Sequence, residues 1–322
     1  NMAKLVSMGE APLPKEMSFP SAIIFFPGGT MLGLLLGIGL AFLIELLNDL
    51  VRTPRDVVRH LRIPLLGVIP DESEDDELEG EDLRQIVHSL PNCIISESYR
   101  GFKTNLSLSG DETAKVLFVT SGMAGDGKTS VAINLALSFA ADNKKVLLID
   151  SNFWRSTLHK VFPNKVIGDK LSEEASDSIV GLSTFLAGGC DAGRIIRSSG
   201  VQSLDIVDAG SMPSNPTELF GNSRMRQFID NCRKRYDYVL IDGPPVLLVS
   251  DAKILSKHSD ATVLVFNAQA TRRGAAQRTI RELRDVNSKI AGCVLFSVKS
   301  LKGGYFHEQF RYYQEYHKLQ LA

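Results

Sequence analysis

Residues 116–140 read VLFVTSGMAGDGKTSVAINLALSFA. An apolar run of strand length, KVLFVTS (115–121), stops at Gly122, and Gly122-Met-Ala-Gly-Asp-Gly127-Lys128-Thr129 fits the pattern G-x-x-x-x-G-K-[ST]. The residues that follow carry apolar side chains at helical spacing. Strand, glycine loop and helix are the setting this phosphate-binding motif requires. In such a loop the backbone N–H groups and the positive end of the helix point at phosphate oxygens. Gly122, Ala124, Gly125, Asp126, Gly127, Lys128, Thr129 and Ser130 are therefore the expected nucleotide contacts. Lys128 is placed to reach the β- and γ-phosphates and Thr129 to set its hydroxyl on Mg²⁺. ATP and Mg²⁺ are the expected cofactors.

Working outward, two further apolar runs end in acids. KKVLLID (144–150) stops at Asp150, and YDYVLIDGPP (236–245) passes through Asp242. Ligands of an open parallel sheet bind at the carboxyl ends of its strands, so both aspartates are expected beside the loop. Asp242 is the natural Walker B acid, and both join Thr129 as expected metal partners, partly through water. SLDIVDAG (203–210), ATVLVFNAQ (261–269) and AGCVLFSV (291–298) read as strands; 215–235, 250–258 and 272–288 read as helices. The alternation predicts an α/β fold, a doubly wound and mostly parallel sheet of the P-loop NTPase type with helices on both faces.

A transmembrane helix precedes it. Residues 22–44, AIIFFPGGTMLGLLLGIGLAFLI, carry no charge, and about 20 apolar residues cross about 30 Å of hydrocarbon. Gly29, Gly33 and Gly37 fall on one helical stripe, where helices can approach closely. Arg52, Arg55, Arg59 and Arg62 follow the span, against Lys4 and Lys15 before it, which puts the C-terminal side in the cytoplasm. Residues 71–82, DESEDDELEGED, hold nine acids in twelve positions and read as a self-repelling tether. The predicted organisation is an extracytoplasmic stub (1–20), a transmembrane helix (21–47), a juxtamembrane segment and acidic linker (48–89), a P-loop domain (90–300) and a tail (301–322). The opening Asn1-Met2, with no charged segment and cleavage site, reads as the C-terminal part of a longer protein.

Composition removes other classes. The net charge of −1 gives no global field for nucleic acid. The four cysteines lie far apart, with no C-x-x-C pair, as buried small hydrophobes do in a reducing compartment. The six histidines form no metal-ligand or triad pattern.

The destination of the terminal phosphate is the open question. ATPases of the partitioning and septum-placement type carry a lysine five residues before the loop lysine; that position is Met123 here, which argues against hydrolysis triggered by dimerisation. The tail offers another acceptor. YFHEQFRYYQEYHK (305–318) supplies Tyr305, Tyr312, Tyr313 and Tyr316, four of the chain's seven tyrosines in its last eighteen residues. They read either as the packing aromatics of a terminal helix or as phosphate acceptors.

On these motifs the whole chain resembles the bacterial tyrosine kinases of capsule and exopolysaccharide export, fused to the second span of a chain-length determinant (polysaccharide co-polymerase) protein. APLPKEMSFP, the glycine-bearing span and RTPRDVVRHLRIPLLGVIP resemble the co-polymerase end. SESYRGFKTNL, SGMAGDGKTS, VLLIDSNFWRSTLHK, GLSTFLAGG, VDAGSMPSNPTELF and YDYVLIDGPPVLLVSDA follow the kinase domain in order. The resemblance implies an inner-membrane autokinase with a cytoplasmic kinase domain, in which one protomer's tail enters the site of the next. Lys128, Asp150, Asp242 and Arg155 would carry catalysis, with Asp150 binding Mg²⁺ through water or deprotonating the incoming tyrosine. Glu97 and Arg100 would match a ring-forming E-x-x-R-x-x-R helix, with Lys103 at its last position. The implied partners are further copies of the chain, the polysaccharide polymerase and export proteins, a cognate tyrosine phosphatase and the membrane, with no nucleic acid.

Three positions depart from the family pattern. Asp-x-Asp after the second strand becomes Asp150-Ser151-Asn152, the ring motif ends in Lys103, and VLFSV stands where an asparagine is expected near the adenine. Loss of a general base costs about 10²–10⁴ in rate, so a weak or silent nucleotide-binding scaffold of the export machinery is the alternative reading.

Overall fold

The computed structural model describes Gly9 and residues 22–47, 49–74, 82–109, 113–163 and 180–299. The chain forms two units, residues 1–49 and 50–322. The first carries one helix, Ala22–Leu47. Within it Phe25–Leu43 has a mean hydropathy of 1.8 and none of it is buried. At 1.5 Å per residue that stretch is long and apolar enough to cross a membrane.

The second unit is built on eight strands: β1 (Leu65–Pro70), β2 (Val116–Ser121), β3 (Val146–Asp150), β4 (Ile196–Ser198), β5 (Leu204–Val207), β6 (Tyr238–Asp242), β7 (Ala261–Asn267) and β8 (Ile290–Val298). They pair in the order β1-β8-β7-β2-β6-β3-β5-β4. Every pairing is parallel except β4 with β5. The central strands are apolar throughout because both faces are covered, as in parallel sheets generally. Alternation sorts their side chains: Val116, Phe118, Leu147, Ile149, Val239 and Ile241 enter one core. Leu117, Val119, Val146, Leu148 and Leu240 enter the other. The glycine-loop helix Lys128–Ala141 and the helix Ile94–Ser109 pack into the second core; the helices Ser223–Arg235 and Arg273–Asp285 pack into the first. The α/β fold, the mostly parallel sheet and the helices on both faces are as the sequence predicts.

Three details differ from the sequence reading. Residues 50–74 are not merely juxtamembrane linker. Val51 N–H donates to the Thr271 carbonyl at 3.0 Å, and Cys293 N–H donates to that of Pro64 at 2.8 Å. Val51, Val57, Leu61 and Ile63 are buried in the first core, and β1 adds the edge strand beside β8. Proline at both ends disguises this strand, and edge strands tolerate proline because part of their ladder is free. The compact unit thus begins at Leu50, well before residue 90. Second, the helix expected over 215–235 is two helices, Pro216–Gly221 and Ser223–Arg235, broken at extended Asn222, whose side chain caps the second by accepting from Arg224 N–H. Third, β4 is an unforeseen antiparallel edge, with Arg197 paired to Asp208.

Candidate active site

The glycine loop joins β2 to the helix Lys128–Ala141 and curls through two glycines, Gly125 and Gly127, each at φ +89°. The curl is tightly seated. A Cβ on Gly127 would lie 2.4 Å from Phe296 Cδ1, and one on Gly122 would lie 2.6 Å from Thr279 Oγ1. Asp126, expected to contact nucleotide, turns inward instead: its carboxylate accepts from Met123 N–H at 2.9 Å and from Thr271 Oγ1 at 3.0 Å. It staples the loop, and burial raises its pKa against those hydrogen bonds.

Parallel pairing aligns the acids. In register, Asp150 on β3 faces Asp242 on β6, and Val119 on β2 faces Asp242. Both aspartates are wholly buried. Thr129 Oγ1 donates to Asp242 Oδ2 at 2.7 Å. Asp150 accepts from Asn152 N–H (3.0 Å), Ser156 Oγ (2.9 Å) and Thr157 N–H (3.1 Å). Burial pushes Asp242 up to about 7; the Lys128 ammonium opposes this, the Asp150 charge adds to it, and the Thr129 hydroxyl opposes it. Burial raises Asp150 too, against its four hydrogen-bond donors. Three buried oxygens here, Asp242 Oδ1, Asn152 Oδ1 and Thr157 Oγ1, have no hydrogen-bond partner.

Beside Thr129 opens a cavity of about 470 Å³, which neither Asp150 nor Asp242 lines. Ala124, Gly125, Gly127, Lys128, Thr129 and Ser130 line it together with Asn152, Arg155 and Thr157. Arg155 is exposed there. Of the expected nucleotide contacts, Gly122 and Asp126 support the loop from outside this cavity. The wall also contains Trp154, Pro245, Leu248 and Val249, which the sequence reading did not single out. Two PP-flanking apolar residues and a lone tryptophan beside Arg155 were the only available signal.

The expected interface residues are engaged within the chain. Arg100 binds Glu97 and the Pro91 carbonyl, and this half-exposed pair stays at the surface. Lys103 is held: its ammonium bonds Asp142 Oδ2 at 2.5 Å and the Ser138 carbonyl at 3.3 Å, tying the helix Ile94–Ser109 to the loop helix. Tyr305, Tyr312, Tyr313 and Tyr316 lie outside the described residues, as does the stub at 1–20 apart from Gly9.

A family model described as an AAA domain matches residues 114–291. The tyrosine-protein kinase YwqD of Bacillus subtilis is 32% identical over 229 residues, covering 71% of this chain and 90% of YwqD. The chain belongs to the bacterial tyrosine kinases. The kinase domain of the Escherichia coli tyrosine kinase ETK matches it with a TM-score of 0.69 at 26% identity, covering 78% of this chain and 96% of that one. EpsB of Ralstonia solanacearum is 29% identical over 291 residues, and this kinase chain spans 37% of its length. A loop of this fold binds nucleotide, and these relatives place the chain among protein-tyrosine kinases.

Proposed function

We propose that the chain is a membrane-anchored, ATP-dependent tyrosine autokinase that regulates exopolysaccharide or capsule polymerisation and export, passing the γ-phosphate to C-terminal tyrosines of a neighbouring protomer. The observation that carries this reading is that Asp150 and Asp242 end adjacent strands, Thr129 bonds Asp242, and Lys128 and Thr129 line one cavity. Membrane anchoring rests on the apolar helix and the arginines that follow it, which favour an inner-membrane protein with its kinase domain in the cytoplasm.

The donor set fits Mg²⁺. The Thr129 hydroxyl and the unpartnered Asp242 Oδ1 are hard oxygens, and Mg²⁺ takes one or two carboxylates with the substrate phosphates rather than a full protein cage. When bound, it neutralises charge shared by the β- and γ-phosphates. Lys128 and the loop N–H groups hold the phosphates, and Arg155 at the rim meets the transferred group. On the family reading Asp150 would receive the phenol proton or help hold Mg²⁺. A carboxylate raised by burial is a better base near neutral pH than a free one. Positioning and charge neutralisation then carry most of the rate. Glu97 and Arg100 are the surface pair available to a ring contact; Lys103 serves the protomer's own packing. Partner phosphatase and export proteins follow from the same family reading.

One observation favours a second reading, a weak or silent nucleotide-binding scaffold. Asn152 stands buried with its oxygen unpartnered, where family members carry a second carboxylate. The test is the intact mass of the full chain after incubation with Mg²⁺ and ATP, beside Lys128→Met and Asn152→Asp. Phosphate on the tail tyrosines, absent in Lys128→Met, supports the kinase. An unmodified mass despite ATP binding, with phosphate gained only by Asn152→Asp, supports the scaffold.

A further inference from the structure

Trp154 is the only tryptophan in the sequence, and 59% of it is exposed. An exposed indole at the mouth of a phosphate site is not accounted for by phosphate binding. Its one polar atom is spoken for: Nε1–H donates to Asp251 Oδ2 at 3.3 Å. Asp251 is itself buried, and its other oxygen accepts from Thr217 Oγ1 at 2.6 Å. A buried, doubly engaged carboxylate therefore fixes the ring at the rim. Beside it in the cavity wall lie Pro245, Leu248 and Val249, with Leu248 also more than half exposed. The same cavity is lined by the glycine loop with Lys128 and Thr129. It thus combines groups suited to phosphates with apolar and aromatic ones suited to something else.

We propose that Trp154, anchored by Asp251 and flanked by Leu248 and Pro245, is the acceptor subsite, taking the aromatic ring of a tyrosine from the C-terminal segment Tyr305–Tyr316. The inference rests on the kinase reading above and deepens it by naming a specificity-determining residue. Ring–ring contact is favourable beyond the area it buries, and pockets with an apolar wall and few polar groups orient flat ligands well. The occupant follows from what the chain carries: four tyrosines crowd its last eighteen residues. A ring resting on Trp154 would keep its hydroxyl within the cavity that Lys128 also lines. Trp154 and Asp251 act here as positioning residues.

The single tryptophan makes the test direct. The full chain carrying Tyr305→Ala, Tyr312→Ala, Tyr313→Ala and Tyr316→Ala is loaded with Mg²⁺ and a non-hydrolysable ATP analogue, then titrated with a peptide of residues 301–318. The expected result is a saturable change in Trp154 emission that a peptide with its tyrosines replaced by alanine does not give. With ATP, Trp154→Ala should raise the peptide KM roughly tenfold, the scale of a lost aromatic contact with its burial, and leave nucleotide affinity unchanged. Trp154→Phe should stay within about threefold of the parent, because it keeps a ring. Unchanged nucleotide binding reports that each variant is folded. A peptide KM unmoved by Trp154→Ala, or a nucleotide affinity that falls by the same factor, overturns the proposal. So does an emission that peptide does not alter. An emission change without phosphate transfer upholds the subsite and sinks the active-kinase reading; transfer with static emission and a parental KM does the reverse.

Discussion

Gly127→Ala tests how the nucleotide loop is held. The residue sits at φ +89°, where a Cβ costs about 1–2 kcal/mol. That Cβ would lie 2.4 Å from Phe296 Cδ1 and 2.6 Å from Cε1. Overpacking of this kind costs about 1–3 kcal/mol more, so the substitution should destabilise the nucleotide-free protein by about 2–5 kcal/mol. The two contributions can be separated. Phe296→Ala removes the clash but not the backbone strain, so the double variant should be about 1–3 kcal/mol more stable than the sum of the single effects requires. Urea unfolding of the parent, both single variants and the double variant gives this coupling. Single effects that add within about 0.5 kcal/mol would show that Phe296 does not shape the loop's seat. A Gly127→Ala protein as stable as the parent would refute both halves of the reasoning. The result bears on function because Phe296 lies in VLFSV, the segment where an asparagine was expected near the base, and packs where a Cβ on Gly127 would fall.

Two further outcomes are expected. Asp242 is raised to about 7 from an ordinary value of 3.8, so between those pH values the folded, nucleotide-free protein holds a proton the unfolded chain has lost. Its stability should therefore fall as pH rises across that window, by up to about 1.4 kcal/mol per unit for one proton, and Asp242→Asn should flatten the profile; a rising profile in denaturant titrations would contradict the assignment. Lys103→Ala should cost about 1–2 kcal/mol, because it removes charged hydrogen bonds from a largely buried ammonium, and should leave the subunit number by light scattering unchanged; lost assembly at parental stability would move Lys103 to an interface.

Much of this was legible in the sequence where one local pattern determined the outcome. The runs ending in Asp150 and Asp242 read as strands because fully buried parallel strands are apolar throughout, and parallel pairing then forces their ends together. The loop, its helix and the apolar helix Ala22–Leu47 were read for the same local reasons. What escaped depends on distant residues. The strand Leu65–Pro70 is bounded by prolines and gains its identity only from β8. Asp126 fits the loop motif, yet Thr271, far along the chain, turns it inward. Lys103 looks like a surface charge until Asp142 and Ser138 are seen beneath it. Trp154 becomes informative only once Asp251 is found holding it.

The pairing of β1 with β8 has a consequence for how the chain is made. Leu65 meets Cys293, more than two hundred residues later, so this edge of the sheet is the most non-local contact in its ladder. Chains emerge from the ribosome N-terminus first, and pairings of large sequence separation form late because a long loop must close first. The apolar helix Ala22–Leu47 is therefore complete and free to engage a bilayer while β1 still lacks its neighbour. The sheet's outer edge can close only after the nucleotide loop, both aspartate-bearing strands and β7 have all been synthesised. A chain that stops short of β8 would carry the membrane-type helix and the phosphate loop together with an unpaired, apolar β1, the kind of exposed strand that recruits other chains. Exposure of that edge thus ends only when β8, the last strand among the described residues, has appeared.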